Sequence, residues 1–300
     1  MRVPVGKSHR VTKTGLWPLR LLWLTLPVTA GPALAQSLDP RLDSFRVVAT
    51  VGLWAGWAVT LTATLVTRDV TLTVVRVTVP AAVVAAGWAA ASGASAGTGL
   101  LALLATLAAA ALVFLPATSE VFVDGSSYGP ERRMALRTPT ALLLGPIELT
   151  WLVVVVGTAA GPLLLAAHQW VAGAVATVVG WPAAVVAVRA LHGLSRRWVV
   201  FVPAGLVVHD PLTVDAVLFP RRTIRHLGPA PVDHHAVDLS QGALGLALLL
   251  ELVEPVAVPV PTGRRPADNA PTVEADRFLF TPTRPAALLQ EASDRRITVG

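Results

Sequence analysis

The sequence contains no cysteine, one tyrosine and two methionines, and only 14% of its 300 residues are charged. The absence of cysteine excludes disulfides, thiolate metal sites and cysteine nucleophiles. The scarcity of charge, with 54% hydrophobic residues and a mean hydropathy of +0.64, is atypical of soluble chains. The composition therefore predicts a membrane protein.

Long apolar stretches dominate residues 1–192, which we predict to be a polytopic α-helical membrane bundle. A helix rises 1.5 Å per residue, so about 20 apolar residues cross ~30 Å of hydrocarbon. Because lipid offers no hydrogen-bond partner to the backbone, each such stretch must be helical. Six stretches reach this length: 16–36, 45–66, 71–91, 98–117, 142–166 and 170–190.

The basic residues of the short loops predict the orientation of the spans. Lysine and arginine collect before the first span and after the second, fourth and sixth, whereas loops 37–44, 92–97 and 167–169 carry only Arg41. Since positive loops remain in the cytoplasm, both termini are expected there. The net charge of +6 comes from these loops, so no nucleic-acid partner is predicted.

The first stretch has two interpretations. Basic residues precede it, and Ala33-Leu34-Ala35 before Gln36 matches the small-residue cleavage site of a signal peptide. Its apolar length of about 20 residues exceeds the ~7–15 typical of such peptides, which favours a retained helix. Both interpretations leave the orientation of the other five spans unchanged.

From residue 193 the pattern changes to short strands separated by turns. Residues 198–202 and 206–209 flank a Pro-Ala-Gly turn. Leucines then alternate from Leu244 to Leu252, the period of a strand with one apolar face. Pro255 is expected to turn the chain into a further strand.

A last strand over 277–280 precedes a terminal helix, 284–296, for which Thr283 is the expected N-cap. Residues 193–300 are thus predicted to form a cytoplasmic α+β domain of antiparallel strands closed by one helix. Between the fourth and fifth spans, residues 119–137 suggest a cytoplasmic hairpin with arms at 120–123 and 132–136. We expect it to pack on the C-terminal domain.

Four segments carry a family resemblance: LLLGPIEL (142–149), RRWVVFVPAGLVVHDP (196–211), DLSQGALGLAL (238–248) and FLFTPTRP (278–285). They resemble an uncharacterised family of conserved actinobacterial integral membrane proteins, over nearly the whole chain. The resemblance implies a bacterial cytoplasmic membrane location. The strand series with its terminal helix also resembles bacterial pleckstrin-homology-like domains, which implies a bent antiparallel barrel capped by a helix and says little about function.

Three charged residues interrupt the spans. Arg20, Arg76 and Glu148 lie about five to seven residues from the cytoplasmic ends of the first, third and fifth spans, roughly 7–10 Å inside the hydrocarbon boundary. Because intramembrane charge is costly, we expect a Glu148–Arg76 pair, with Arg20 in reserve, as an assembly clamp or transport site. The alternatives are snorkelling of the arginines and a structural hydrogen bond of Glu148.

Ser95 lies in a G-x-S-x-G pattern, and His168 precedes the sixth span. This arrangement resembles rhomboid intramembrane proteases, which implies a serine–histidine dyad. The sequence departs from the motif at Ala96, where glycine is wanted, and the second span offers no histidine or asparagine for an oxyanion hole. A loop between spans also lacks the strand-turn-helix context of a hydrolase, so no catalytic, cofactor or metal residue is predicted.

The arginines of the C-terminal domain are candidate contacts for anionic headgroups, at about 1 kcal/mol each near a surface. The 203–205 turn, where a phosphoinositide site would need basic residues, is uncharged. The alternative is that the arginines are topology signals and solvated strand ends. The candidates are Arg196, Arg197, Arg221, Arg222 and Arg225.

These features lead to a binding function. We expect a non-enzymatic scaffolding protein that presents its cytoplasmic domain at the membrane. Its partners would be the lipid bilayer and either another protein or a second copy, contacted through strand edges and the 261–276 loop. The alternatives are a small-solute transporter or accessory subunit that uses Glu148 and Arg76, and, less favoured, a rhomboid-like protease.

Overall fold

A computed structural model describes residues 13–232, 235–259 and 272–300. The chain divides into two compact units. The membrane unit comprises residues 13–122 and 147–192, and the sheet unit comprises Val123–Pro146 with Gly193–Gly300. The segment between the fourth and fifth spans is therefore part of the same unit as the C-terminal domain.

The helices up to residue 195 begin and end close to the predicted spans. They are α1 (Trp17–Thr29), α2 (Gly31–Leu38), α3 (Asp43–Leu65), α4 (Asp69–Ala91), α5 (Ala96–Val113), α6 (Pro116–Asp124), α7 (Thr140–Leu143), α8 (Pro146–Ala166) and α9 (Trp170–Ser195). Among the described residues, six helical stretches are long and apolar enough to cross a membrane, with α1 and α2 together forming the first. This confirms the predicted multi-pass bundle.

The fifth span begins later than predicted. Residues 142–145 are not part of α8, because Gly145 has a φ of +114° and Pro146 then starts the helix. Proline suits a first helical position, since its missing N–H would have no partner there. Glu148 therefore lies in the first turn of α8.

Helices α5, α8 and α9 of the membrane unit pack through small residues. The buried face of α5 carries Gly99, Ala102, Ala105 and Ala109. A Cβ added to Gly157 on α8 would lie 2.6 Å from the carbonyl oxygen of Gly180 on α9, so those backbones pass in direct contact. Close approach through small residues is the usual mode of helix association in lipid.

The sheet unit contains eight described strands in two sheets. The first sheet has the order β1-β2-β3-β4 and is antiparallel; the second has the order β5-β7-β8-β6, with β6 parallel to β8. The strands are β1 (Arg132–Ala135), β2 (Trp198–Val202), β3 (Gly205–Asp210), β4 (Val214–Pro220), β5 (Ile224–Pro229), β6 (Val237–Asp238), β7 (Leu248–Pro259) and β8 (Thr272–Phe280). Helix α10 (Pro285–Asp294) follows them, as the predicted α+β class requires.

The predicted hairpin over 119–137 is wrong in its first arm. Residues 120–123 belong to α6, which Pro116 begins two residues after α5 is capped. The second arm is a strand, but its partner is β2, with Arg132 opposite Phe201. The expectation that this segment packs on the C-terminal domain is confirmed, since β1 is an edge strand of its first sheet.

Two details of the strand predictions also differ. Leu244 and Leu246 are exposed in a loop, and the alternation becomes a strand only from Leu248. Pro255 does not end β7; it lies where the register with β8 shifts, which suits a residue without an N–H. Residues 260–271, which hold most of the predicted 261–276 loop, lie outside the described residues.

The terminal helix forms where predicted, but Thr283 is not its N-cap. Arg284 occupies the cap position without a side-chain hydrogen bond. Thr283 instead donates both its backbone N–H and its hydroxyl to the carbonyl oxygen of Ala135, at 2.9 and 3.1 Å. The residue thus joins the segment before α10 to the end of β1.

One hydrophobic cluster unites both sheets, β1 and α10. The rings of Phe219 on β4 and Phe278 on β8 lie 5.0 Å apart and connect the two sheets. Apolar area removed from water stabilises at about 25 cal/mol per Å², so this cluster is the main source of the unit's stability. Its largest members are Met134, Phe201, Leu206, Phe219, Leu227, Phe278 and Phe280.

Candidate functional site

Arg20 is buried and engaged by the end of a neighbouring helix. Its Nε and one terminal nitrogen donate to the carbonyl oxygen of Thr64, at 3.1 and 2.5 Å, and its guanidinium lies 5.6 Å from the ring centre of Trp17. The last carbonyls of a helix have no intrahelical partner. Arg20 therefore satisfies the C-terminal end of α3, a structural role.

Arg76 lies within α4 and donates to the hydroxyl of Ser119 on α6 at 2.7 Å. Its Nε is buried and has no hydrogen-bond partner among the described residues. One turn earlier, the hydroxyl of Thr73 and Nδ1 of His192 share a hydrogen bond of 3.0 Å. Polar side chains of α4, α6 and α9 thus meet inside the membrane unit.

Glu148 is an exposed residue of the first turn of α8, where a carboxylate interacts favourably with the helix dipole. Arg76 donates to Ser119 and Arg20 donates to Thr64. The expected Glu148–Arg76 pair stays a prediction.

Ser95 is the N-cap of α5. Its hydroxyl accepts from the N–H of Thr98, and its own N–H donates to Oε1 of Gln36 at 2.8 Å. The His168 ring stacks on Trp170 with 5.7 Å between ring centres. The described contacts of Ser95 and His168 thus join each to other residues, as expected for capping and turn positions.

Arg197 is the clearest correction among the predicted headgroup contacts. It is completely buried, and its guanidinium makes a bidentate pair with Asp210, with N–O distances of 2.8 and 2.7 Å. A third donor meets the carbonyl oxygen of Arg137 at 2.7 Å. The adjacent Arg196 is exposed and lies in the turn between α9 and β2.

The other candidates, Arg196, Arg221, Arg222 and Arg225, are exposed. Within the described residues, none of the four has a carboxylate within ion-pair distance. Several other arginines of the sheet unit are paired, as in Arg132–Asp124, Arg133–Glu131 and Arg295–Glu291.

A surface depression brings two of these exposed arginines beside the β2–β3 turn. We call it the arginine depression; it has a volume of about 530 Å³ and is lined by Ala204, Pro220, Arg221 and Arg222. A side pocket of about 110 Å³ shares Arg221 with it. The other residues that line the side pocket are Val202, Pro203, Gly205, Arg295 and Ile297.

Backbone contacts hold this region in place. The N–H of Arg221 donates to the carbonyl oxygen of Ala204 at 2.9 Å, which ties the start of a one-turn 3-10 helix to the uncharged turn. Gly205 has a φ of +158°, and a Cβ there would lie 2.1 Å from the carbonyl oxygen of Phe219. Only glycine permits this close approach of the turn to β4.

The sequence pointed to Arg221 and Arg222 but missed Arg295. Arg295 follows α10, its Nε donates to Oε1 of Glu291 at 2.7 Å, and its guanidinium lies 5.5 Å from the ring centre of Phe201. More than 70 residues separate it from Arg221, so no local pattern could join them.

Comparison with known proteins adds no assignment to this geometry. No family model, no curated protein and no solved structure matches the chain. The candidate site therefore rests on the contacts of the chain itself, and the family and pleckstrin-homology-like resemblances remain predictions.

Proposed function

We propose that the protein is a multi-pass protein of a bacterial cytoplasmic membrane that works by binding. Its sheet unit would be a recognition module, pleckstrin-homology-like in fold, presented on the cytoplasmic side to a protein partner or to a second copy. The positive loops support this orientation, since lysine and arginine flank the spans on one side. The resemblance to actinobacterial membrane proteins supports the location.

One observation carries the proposal: the sheet unit is built from two separate chain segments. The chain passes between the units at 122/123, at 146/147 and at 192/193. A tail with one connection can move far from its anchor, whereas three connections restrict the distance that a module can travel. This construction suits a surface that must remain beside the membrane.

The inserted segment is an integral part of the module. The N–H of Leu136 donates to Arg197 at 3.0 Å, and the N–H of Arg137 donates to Thr281 at 2.8 Å, both at carbonyl oxygens. The segment thereby joins the first sheet to the end of β8. An isolated 193–300 fragment lacks β1 and the side chains of Met134 and Leu136, so a binding test needs the full chain.

The test is cross-linking in living cells with a photoreactive amino acid at Leu218 on the edge strand β4 or at Val253 on β7, both exposed. Leu100, an exposed position on α5, is the matched membrane control. We expect one discrete adduct from the sheet positions that is absent from the control. An adduct of twice the chain mass indicates a second copy, and mass spectrometry identifies any other partner.

A defined cross-linking result would contradict the binding proposal. If neither sheet position gives an adduct that the Leu100 control lacks, while all three variants accumulate in the membrane equally, the binding proposal is wrong.

Transport is a second candidate because polar side chains meet inside the membrane unit at Arg76, Ser119, Thr73 and His192. If these groups form a solute path, Arg76→Gln abolishes the uptake of a solute whose cellular level depends on the wild-type protein. Arg20→Gln is the control, since Arg20 also lies inside a span but binds a helix end. Equal metabolite profiles for wild type and Arg76→Gln at equal abundance would remove this candidate.

A further inference from the structure

The exposed guanidinium groups of Arg221 and Arg222 are open to a ligand. Among the described residues, no carboxylate lies within ion-pair distance of either, and the described side-chain hydrogen bond of Arg221 is a long one, 3.4 Å to the carbonyl oxygen of Arg296. A guanidinium presents five donors in a rigid fork. Most donors of this pair are therefore available.

Both arginines are positioned by backbone contacts. They form the first turn after β4, where Arg221 is tied to Ala204 and the hydroxyl of Thr223 donates to the carbonyl oxygen of Pro220 at 2.8 Å. A backbone already held in place loses little freedom when a ligand binds. The backbone that carries both arginines is therefore already ordered before a ligand binds.

The arginine depression is shallow and open to solvent, so a bound group would be held by charge and hydrogen bonds rather than by enclosure. Arg221 lies between it and the side pocket, whose wall includes Arg295. The Arg295 side chain is oriented by Glu291 and by the carbonyl oxygen of Pro130, which accepts from it at 2.7 Å.

The charge balance decides the chemical class. Three guanidinium groups line the depression and its side pocket, and within the described part of the chain Glu291 is the carboxylate paired with one of them. The turn between β2 and β3 contributes no opposing charge. A planar guanidinium binds two oxygens of a phosphate through two parallel hydrogen bonds. A carboxylate has only two oxygens and would engage one of the three guanidinium groups, whereas a phosphate has enough oxygens for more than one.

We propose that the arginine depression binds the phosphate group of a small phosphate ester, with Arg221 and Arg222 as direct donors and Arg295 as the third positive wall. The same chemistry is offered by a phospholipid headgroup and by a soluble phosphate ester. This site goes beyond the proposed scaffold role, and neither depends on the other.

The experiment uses the full-length protein in nanodiscs and has two arms. In one arm, nanodiscs of phosphatidylcholine alone are titrated with glycerol 3-phosphate, and binding is measured by calorimetry. In the other, binding to phosphatidic acid is measured by lipid transfer into the same nanodiscs. Saturable binding in the first arm assigns a soluble ester, and saturable binding confined to the second assigns a headgroup.

The variants separate a built site from general charge attraction. We expect the double variant Arg221→Gln/Arg222→Gln to weaken binding at least tenfold, and Arg221→Lys to weaken it less because the charge remains. Arg225→Gln, exposed but outside both cavities, is the control and should change affinity less than twofold. Unchanged thermal melting of each variant shows that the fold is intact.

Two results would overturn the proposal. One is the absence of saturable binding in both arms. The other is an equal loss of affinity in Arg225→Gln and in the double variant, which would indicate attraction to net charge alone. Cross-linking from Leu218 would be unaffected in either case, so failure of this site is distinguishable from failure of the scaffold role.

Discussion

Helix α5 of the membrane unit and the sheet unit place their large apolar side chains in opposite ways. On α5 the leucines Leu100, Leu101, Leu104 and Leu107 are exposed, whereas the buried face is glycine, alanine and threonine up to Val113. In the sheet unit, leucine and phenylalanine are inside. Water drives burial of apolar area, but lipid is as apolar as leucine, so helices in a bilayer gain from close contact instead.

The units also differ in how they satisfy arginine. In the membrane unit, Arg20 and Arg76 meet a carbonyl and a hydroxyl oxygen. In the sheet unit, Arg132, Arg197 and Arg295 meet carboxylates. Breaking an ion pair in the sheet unit therefore leaves a charge without its partner, whereas the described partners of Arg20 and Arg76 are neutral oxygens.

The largest expected effect is the loss of the buried pair. Arg197→Met leaves Asp210 buried without its cation, which should destabilise the sheet unit by about 3–5 kcal/mol. The double variant Arg197→Met/Asp210→Leu should recover most of this loss, since apolar replacements of buried pairs are often neutral. Hydrogen exchange of the full chain would show faster exchange in β2 and β3 with α8 unchanged.

Arg20→Met sharpens the comparison, because its partner is a neutral carbonyl at the end of α3. It should therefore destabilise the protein less than Arg197→Met. A larger effect for Arg20→Met would contradict the distinction between the two units.

An intermediate effect is expected at the contact between α8 and α9. Gly157→Ala places a methyl group 2.6 Å from the Gly180 carbonyl oxygen and should cost about 1–3 kcal/mol by overpacking. Gly52→Ala is the matched control, since nothing lies within 4 Å of its Cβ position. Thermal melting in detergent should fall only for Gly157→Ala, and equal shifts would argue against the close contact.

The smallest effect concerns a reciprocal tryptophan pair. Trp23 donates to the carbonyl oxygen of Trp57 at 3.0 Å, and Trp57 donates to that of Trp23 at 2.9 Å. Trp23→Phe removes one donor and should cost about 0.6 kcal/mol, the mean for such bonds in membranes. Trp54→Phe keeps both bonds and should be neutral in the same melting assay. A loss of several kcal/mol for Trp23→Phe would show that the membrane unit depends on single strong bonds after all.

The spans could be predicted from the sequence because an apolar stretch of about 20 residues can cross the hydrocarbon only as a helix. The strand predicted at residues 120–123 was wrong because tertiary context decides there. The Val-Phe-Val of 121–123 is typical of a strand, but these residues belong to α6, which begins at Pro116. The burial of Arg197 had a signal that was missed. The 203–205 turn sets the register Trp198↔His209, which places Arg197 opposite Asp210.

The arginine depression could be predicted only in part. Arg221 and Arg222 were candidates from their charge, but the cavity depends on Pro220 meeting the β2–β3 turn and on Arg295 arriving after α10. The fold of the sheets brings these residues together, and no local pattern in the sequence indicates that they are neighbours.

The origin of β1 has a consequence for synthesis. Roughly sixty residues, including all of α8 and α9, separate it from its partner β2. At about 5–20 residues per second, the ribosome needs several seconds to supply that partner. Throughout that interval the strand has an unpaired edge, a risk for association with other chains. Its short length and the charges of Arg132 and Arg133 protect it until both remaining helices have entered the bilayer.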